Sequence, residues 1–253
     1  MELKNEKLGA TREEEQGCGE DILIEKSKAE IMRTIVERED PSSKDVDDHT
    51  LRRFLRAQDL DVDKASDMFL KYLNWKRTII PNGYIAEREI RNELAQNKLF
   101  IQGYSKKGQP IIVLLGNKHK PSKSGLDEFK RCVVYAFDKI CARIPSGKDN
   151  FIAIVDLEGW GYKNSDVRGY IAALLILQDC YPERLGKLFF IHVPYMFMTA
   201  WKMICPFLDS RTTKKICFVE NKKLRATLHS AIDEDQLPEI YGGKLPLVPV
   251  QDI

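Results

Sequence analysis

The sequence lacks the features that define several large classes of protein. Its 253 residues contain no apolar run of the roughly 20 residues that a membrane-spanning helix needs. The first twenty residues are rich in glutamate and have no apolar segment typical of a signal peptide. No long basic block is present, and 40 Lys and Arg are nearly balanced by 38 Asp and Glu, which argues against a nucleic-acid partner. We therefore expect a soluble, intracellular protein.

The sequence also lacks the motifs of common enzyme classes. It contains no G-x-S-x-G nucleophile elbow, no Walker loop and no H-E-x-x-H zinc motif, and its four histidines are isolated from one another. The six cysteines form no C-x-x-C pair, which favours reduced thiols in a cytosolic protein. His192 lies in an apolar run and is predicted to be a core residue rather than a ligand. We expect no catalysis, no metal and no cofactor.

One glycine-rich segment is similar to a dinucleotide-binding fingerprint. Gly159, Trp160 and Gly161 follow a predicted strand and precede a predicted helix, as that motif requires. However, Asn164 replaces the third glycine, and no acidic residue ends the next predicted strand at the expected distance. A structural turn is the favoured interpretation, and a nucleotide-dependent enzyme is the alternative.

The hydrophobic pattern divides the chain into four segments. Residues 1–20 have too little apolar content to fold and are predicted to be a disordered tail. Residues 21–84 carry apolar positions at helical spacing, which predicts an N-terminal helical subdomain. Across residues 85–245, short apolar runs alternate with helical patterns, which predicts a largely parallel sheet with crossover helices and one hairpin edge. Residues 246–253 are predicted to be a C-terminal tail.

The segment 195–208 is apolar nearly all round. Only Thr199 and Lys202 are polar, so a helix here must be buried or lie against lipid, yet about 14 residues are too few to span a bilayer. Its methionines suit a surface that repacks around variable partners. We predict a lid helix over an apolar pocket. The side chains of this predicted lid are Tyr195, Phe197, Met198, Trp201, Met203, Phe207 and Leu208.

Several ordered motifs resemble those of the CRAL-TRIO lipid-transfer family. They are TLRRFLRA at residues 50–57, NWKR at 74–77, YPERLGK at 181–187 and PFLD at 206–209. The similarity extends over about residues 45–245, and the chain resembles a phosphatidylinositol-transfer-like member. This resemblance implies the CRAL-TRIO fold, an α/β fold with a mostly parallel sheet, crossover helices and an apolar lid helix, preceded by a small all-helical subdomain.

The resemblance also implies a lipid-headgroup site. In the inositide-binding members of the family, the residues that correspond to Lys215 and Thr212 meet the phosphoinositol headgroup, and the residue that corresponds to Glu183 lies near the same mouth. A partly buried ammonium needs an anion, because desolvating it without one is costly. An ordinary salt bridge from Lys215 to Asp209 or Glu183 is the alternative, and Glu183 could instead pair with Lys187.

Two departures from the family pattern bear on the ligand. Inositide binders carry a second headgroup cation where this chain has Gln58, which can form hydrogen bonds but brings no charge. Members that also bind phosphatidylcholine have two hydroxyl residues where this chain has Phe151 and Ala153, and neither side chain can bind a phosphate. The resemblance therefore favours phosphatidylinositol over phosphatidylcholine.

The resemblance implies a protein that encloses one lipid, with phosphatidylinositol favoured, and exchanges it at membrane surfaces without catalysis. A carrier or sensor of a tocopherol- or sterol-like molecule is the alternative. Gly242 and Gly243, whose backbones can adopt angles closed to other residues, are predicted to be the hinge of the gate. The implied state is a cytoplasmic monomer that associates peripherally with membranes.

Overall fold

The computed structural model describes residues 3–122 and 125–252, with side chains from residue 21 onward. The chain forms two compact units, Met1–Thr78 and Ile79–Ile253. The division between them falls a few residues before the boundary predicted at residue 84. The first unit is helical and the second is an α/β unit, so the predicted fold class is confirmed.

The first unit is built from three long helices. Two are started by aspartate side chains that accept backbone N–H bonds, Asp47 from Thr50 at 2.8 Å and Asp61 from Lys64 at 3.1 Å. The apolar faces of the helices form one core, which includes Met32, Phe54 and Phe69. The helices are α1 (Leu3–Glu39), α2 (Asp48–Ala57) and α3 (Val62–Ile79).

The beginning of α1 differs from the sequence-based prediction. Residues 1–20 were expected to be a disordered tail, whereas the helix extends back to Leu3. Glutamate, lysine, leucine and alanine are good helix formers, and extending a helix costs far less than nucleating one. The buried Ala29 and Met32 secure the later turns, so the earlier turns can add to an existing helix. Met1 and Glu2 lie outside the described residues.

The second unit is built on a five-stranded sheet. The strands lie side by side in chain order, the first pair is antiparallel and every following pair is parallel. This arrangement is the predicted parallel sheet with one hairpin edge. The strands are β1 (Leu99–Tyr104), β2 (Pro110–Leu115), β3 (Phe151–Asp156), β4 (Leu185–Ile191) and β5 (Ile216–Phe218).

Helices connect the parallel strands of this unit. None of the helices in the described part of the chain is long and apolar enough to cross a membrane. The predicted helix near residues 86–96 is only a short helical turn here, and the predicted helix that begins at Asn221 starts with a 3-10 turn. The helices are α4 (Arg91–Leu94), α5 (Leu126–Ala142), α6 (Val167–Cys180), α7 (Phe197–Ile204), α8 (Ser210–Lys214) and α9 (Leu224–Ala231).

The alternation of side chains along the strands separates the core from a cavity. Successive side chains of a strand point to opposite faces of the sheet. On β4, Phe189 and Ile191 belong to the core, which includes Leu228 of α9, whereas Leu188 and Phe190 line a cavity. The strand β2 divides its side chains in the same way, and β3 does so except that Ile154 contributes to both the core and the cavity lining. One face of the sheet therefore stabilises the unit, and the other face is available for a ligand.

The C-terminal segment, predicted to be a tail after residue 245, packs against the sheet. Pro249 forms an isolated β-bridge with Phe100 of β1, and Val250 is 1% exposed. The Val250 carbonyl accepts a hydrogen bond of 3.0 Å from the ammonium of Lys139 on α5. Burial of Val250 and satisfaction of its carbonyl explain why this short segment packs against the sheet. Ile253 lies outside the described residues.

Candidate functional site

A cavity of about 200 Å³ lies between the sheet and helices α5, α6 and α7. The sheet contributes the outward faces of β2, β3 and β4, and the helices contribute Phe137, Leu174 and Ile204 among others. Almost all of the surface that faces the cavity is apolar. Such a cavity removes apolar groups from water but offers few hydrogen bonds, which suits hydrocarbon chains.

The predicted lid is a shorter helix than the sequence suggested. Helix α7 covers Phe197–Ile204 and is followed by a 3-10 turn, Cys205–Phe207, that contains Pro206. Proline has no backbone N–H, so the α-helix cannot continue regularly through this position. The predicted lid residues therefore belong to a helix, a turn and the residues that flank them.

The lid has an inner and an outer face. Phe197 is 3% exposed and packs against Phe190 and Trp160, with ring centroids 5.3 Å apart in each pair. Trp201 and Ile204 also line the cavity. Offset and edge-on aromatic contacts of this kind add to the stabilisation from apolar burial. The inner face thus closes the cavity.

The outer face carries large apolar groups in water. The exposed fraction is 94% for Tyr195, 50% for Met203 and 49% for Phe207. Met198 and Leu208 are half-buried. Large exposed apolar groups that cluster in one segment are typical of surfaces that contact a protein or a membrane.

The lining of the cavity includes members of a buried polar cluster that was not predicted from the sequence. Lys98 is 2% exposed and lines the cavity. Its ammonium donates to Glu93, to Gln96 Oε1 at 2.9 Å and to His119 Nδ1 at 2.7 Å. Three acceptors satisfy the three N–H groups of an ammonium, so this buried charge is fully paired.

The state of His119 follows from this cluster. Burial and the nearby Lys98 ammonium lower the pKa of His119 from 6.5 to about 4. The imidazole is therefore neutral at pH 7, accepts at Nδ1 from Lys98, and has its N–H at Nε2, 3.4 Å from Asp166. Desolvation also raises the pKa of the Cys132 thiol, which lines the same cavity, to about 12. Both groups are uncharged at neutral pH.

The structure pairs two of the predicted headgroup residues with each other. Lys215 Nζ lies 3.2 Å from Glu183 Oε2, and each side chain is about one quarter exposed, at 25% and 27%. Of the sequence alternatives, the ion pair to Glu183 is the one observed, because Asp209 instead caps α8. The Lys187 ammonium does not pair with Glu183 but lies 5.0 Å from the centre of the Phe189 ring.

This ion pair is next to the cavity along the backbone. The Lys215 carbonyl accepts a hydrogen bond of 2.9 Å from the N–H of Leu188, which lines the cavity. Glu183 precedes by two residues Leu185, another lining residue. Glu183 has a backbone φ of 59°, in the left-handed region that is unfavourable for a side chain of this kind. A charged pair therefore lies at the amino-terminal ends of β4 and β5.

The two other predicted headgroup residues have local partners. The hydroxyl of Thr212 donates to Asp209 Oδ2 at 3.1 Å, and its N–H donates to Asp209 Oδ1 at 2.6 Å. Thr212 thereby takes part in the N-terminal cap of α8. Gln58 belongs to the helical first unit, where its amide nitrogen lies 3.2 Å from the sulfur of Met68. Their proposed contact with a headgroup stays a prediction.

The predicted hinge glycines lie in a turn held by backbone hydrogen bonds. Gly242 has a φ of 84°, which favours glycine, and its N–H donates to Glu239 O at 2.9 Å. A side chain at Gly243 would collide with the backbone of Leu237. These contacts explain both glycines by local geometry, and their role as a hinge stays a prediction.

The two positions at which the family resemblance implies hydroxyl residues face the cavity. Phe151 is 1% exposed, and both it and Ala153 line the cavity. Neither supplies a hydrogen-bond donor for a phosphate.

The glycine-rich segment at 159–161 has a structural role, because Trp160 is buried and its indole N–H donates to the hydroxyl of Tyr170 at 3.1 Å.

Comparisons with known proteins agree with the fold. The family model of the CRAL/TRIO domain matches residues 94–243, and that of the CRAL/TRIO N-terminal domain matches residues 11–71. Sec14 cytosolic factor of Schizosaccharomyces pombe is 32% identical over 215 residues, which cover 78% of this chain and 75% of that protein.

Two other similar proteins extend this comparison. The phosphatidylinositol/phosphatidylcholine transfer protein SFH13 of Arabidopsis thaliana is 28% identical over 88% of this chain, which spans only 39% of that protein. The crystal structure of Sfh5 matches with a TM-score of 0.64 at 18% identity and covers 81% of this chain and 83% of that one. At that identity the structural likeness concerns the fold alone.

Proposed function

The chain belongs to the CRAL/TRIO family, and from that premise we propose that it binds one phosphatidylinositol molecule and exchanges it at membrane surfaces. The family assignment makes lipid binding and transfer the expected activity, whereas the particular lipid is our inference. No covalent step is part of this proposal. The protein acts by enclosing the lipid and releasing it.

The observation that carries the proposal is an apolar cavity with a charged pair beside it. The cavity supplies the environment that acyl chains require. Glu183, two residues before the lining residue Leu185, supplies an anion, and Lys215, whose carbonyl accepts the N–H of the lining residue Leu188, supplies a cation. The ammonium suits a phosphate, and a carboxylate can accept hydrogen bonds from the inositol hydroxyls.

The lid provides a physical basis for exchange. When the lid opens, inner-face residues such as Phe197 and Trp201 lose their apolar contacts. Exposing a large apolar side chain to water costs about 1.5–3 kcal/mol. At a bilayer the same side chains would meet hydrocarbon, and the outer residues Met203 and Phe207 would leave water as well. Opening is therefore unfavourable in solution and favourable at a membrane.

The lining of the cavity favours phosphatidylinositol over phosphatidylcholine. The resemblance implies that choline-lipid binding needs hydroxyl groups at positions 151 and 153, where this chain has Phe151 and Ala153. A phosphate beside these two side chains would lose hydrogen bonds to water without replacement, which costs several kcal/mol for a charged group. At the Lys215 site, by contrast, the ammonium can donate hydrogen bonds to a phosphate.

A carrier of a wholly apolar molecule is the second candidate, and one observation favours it. Lys215 is already paired with Glu183, and the Thr212 hydroxyl is already bonded to Asp209. If neither partner yields to a headgroup, the cavity alone would select the ligand. A tocopherol- or sterol-like molecule would then fit the apolar lining.

The two candidates separate in one experiment. The purified protein is loaded from vesicles that contain phosphatidylinositol, phosphatidylcholine and cholesterol in equal amounts, then re-isolated and extracted for mass spectrometry. The proposal predicts phosphatidylinositol at about one molecule per chain. Recovery of cholesterol alone would favour the second candidate, and recovery of phosphatidylcholine in excess would contradict the argument from Phe151 and Ala153.

A further inference from the structure

Three side chains with metal-binding atoms meet at the carboxyl-terminal ends of β3 and β4. Asp156 ends β3, Glu158 follows two residues later, and His192 comes directly after β4. Since Asp156 pairs with Ile191 in the parallel register, the adjacent His192 is brought beside it. One ligand atom from each of the three residues lies within 4.8 Å of the other two. None of the three is among the residues that line the cavity.

The cluster is held in place from several sides. His192 Nδ1 lies 2.9 Å from Asp156 Oδ1, which also accepts the Glu158 N–H at 2.9 Å. The second oxygen of Asp156 accepts from the Tyr241 hydroxyl at 3.0 Å. Asp156 is 6% exposed, whereas Glu158 faces solvent and His192 is half-buried. The site is thus anchored inside and accessible from outside.

The cluster brings two acidic side chains together at one site. Asp156 and Glu158 are two carboxylates in close proximity, and in the described part of the chain neither forms an ion pair with lysine or arginine. The basic side chain in contact with them is His192, whose Nδ1 lies 2.9 Å from Asp156 Oδ1. Two carboxylates that share one site repel each other, and the repulsion grows as water is excluded. A bound cation would remove this repulsion.

We propose that Asp156, Glu158 and His192 bind one divalent transition-metal ion of the zinc class. One imidazole nitrogen and two carboxylate oxygens suit such an ion, whereas calcium and magnesium prefer oxygen ligands alone. A tetrahedral zinc site has bonds of roughly 2.0–2.2 Å, which places its ligand atoms roughly 3.3–3.6 Å apart. The three ligand atoms, which lie within 4.8 Å of one another, would move closer together on binding the ion. The Tyr241 hydroxyl then orients Asp156, as second-shell donors do.

The bound ion would join segments that are distant in the sequence. It would link the ends of β3 and β4, and through Asp156 it would act on Tyr241 in the C-terminal turn. His192 stands three residues before Tyr195, the first residue of the predicted lid. The ion would therefore stabilise the segment that immediately precedes the lid. This structural effect would be separate from ligand binding in the lipid cavity.

Zinc titration of the chelator-treated 253-residue chain, in competition with a chromophoric chelator, tests the proposal. Glu158→Gln removes one ligand charge from a solvent-facing side chain, and His192→Asn removes the imidazole while asparagine tolerates the left-handed φ of 50°. His49→Asn, at an exposed histidine of the first unit, is the matched control. All thiols are retained in every variant, so zinc binding by cysteine would appear equally in all of them.

We expect one zinc ion per chain in the parent protein and in His49→Asn, with affinity at least about 10-fold weaker in Glu158→Gln and in His192→Asn. Zinc at about 100 times its dissociation constant should raise the melting temperature of the parent by about 5–10 °C, and this shift should be lost in the two ligand variants. Equal affinity in the parent and both ligand variants would overturn the proposal. So would the absence of zinc binding by the parent protein.

Discussion

Replacement of Lys215 by alanine distinguishes a headgroup ligand from a structural ion pair. The Lys215–Glu183 pair, with 3.2 Å between Nζ and Oε2, is about one quarter exposed on each side. A pair this accessible to solvent contributes about 0.2–1 kcal/mol to stability. In a chain of this size, 1 kcal/mol corresponds to about 2–4 °C in melting temperature. Lys215→Ala should therefore lower the melting temperature by only a few degrees.

The effect on lipid binding should be much larger. A charge-assisted hydrogen bond from Lys215 to the phosphate contributes about 1.5–3 kcal/mol, which corresponds to about 10- to 100-fold in affinity for phosphatidylinositol. Glu183 would also be left without its cation and would repel the phosphate. Both effects act against the headgroup and leave the acyl chains in the cavity undisturbed.

The assay is transfer of labelled phosphatidylinositol between vesicles, measured beside thermal unfolding. Lys187→Ala is a matched control, because the Lys187 ammonium lies over Phe189 in the same strand and does not pair with Glu183. We expect the control to transfer phosphatidylinositol at the parent rate and Lys215→Ala to lose at least 10-fold. Parent-like transfer by Lys215→Ala, with a lower melting temperature, would refute the headgroup role and leave only the ion pair.

Three further predictions follow from the lid, the cavity and the buried cluster. The double variant Met203→Glu, Phe207→Glu should bind vesicles at least 10-fold more weakly in a sedimentation assay. Both native side chains are about half exposed, and contact with a membrane would remove them from water. Unchanged sedimentation would contradict membrane contact by the outer face. Ala153→Phe should fill part of the cavity and lower the lipid recovered by extraction while the protein stays folded by circular dichroism, and full recovery would show that the ligand lies elsewhere. Burial and the Lys98 ammonium lower the pKa of His119 from 6.5 to about 4. The contribution of the neutral imidazole to the free energy of unfolding is therefore complete above pH 6.5 and is lost, by about 3 kcal/mol, as the pH falls towards 4. His119→Gln should flatten this part of the plot of unfolding free energy against pH, and identical plots for the parent and the variant would contradict the assignment.

The sheet and the long helices could be predicted from the sequence because burial follows the period of each element. The runs at residues 111–115 and 152–156 are apolar at every position or nearly so, and both are central strands with two covered faces. The helical spacing of Leu51, Phe54 and Leu55 likewise gave the core of the first unit. Burial of apolar surface is the dominant driving force of folding, so these patterns are the most dependable signals.

The orientation of the lid could not be predicted in the same way. Tyr195 and Phe197 are both aromatic, yet the first is 94% exposed and the second is 3% exposed. A segment that is apolar on every side contains no polar face to indicate which side is outward. Only the packing of Phe197 against Phe190 and Trp160 decides it.

Polar clusters formed by residues that are distant in the sequence could not be predicted from the sequence either. Lys98 and His119 are 21 residues apart and meet only because β1 is paired with β2.

The disordered tail was predicted from low apolar content, which does not take account of helix propagation from a packed turn. The Lys215–Glu183 pair was one of the alternatives, and the sequence could not choose between Glu183 and Asp209 without the cap of α8.

The central claim is that this chain selects phosphatidylinositol through an apolar cavity and a neighbouring cation. Its most direct test is a transfer assay in which donor vesicles carry labelled phosphatidylinositol in one experiment and labelled phosphatidylcholine in the other. The account predicts protein-dependent transfer of phosphatidylinositol and a rate for phosphatidylcholine at least about 10-fold lower, as a missing phosphate partner implies. Transfer of phosphatidylcholine at an equal or higher rate, or no transfer of phosphatidylinositol at all, would contradict it.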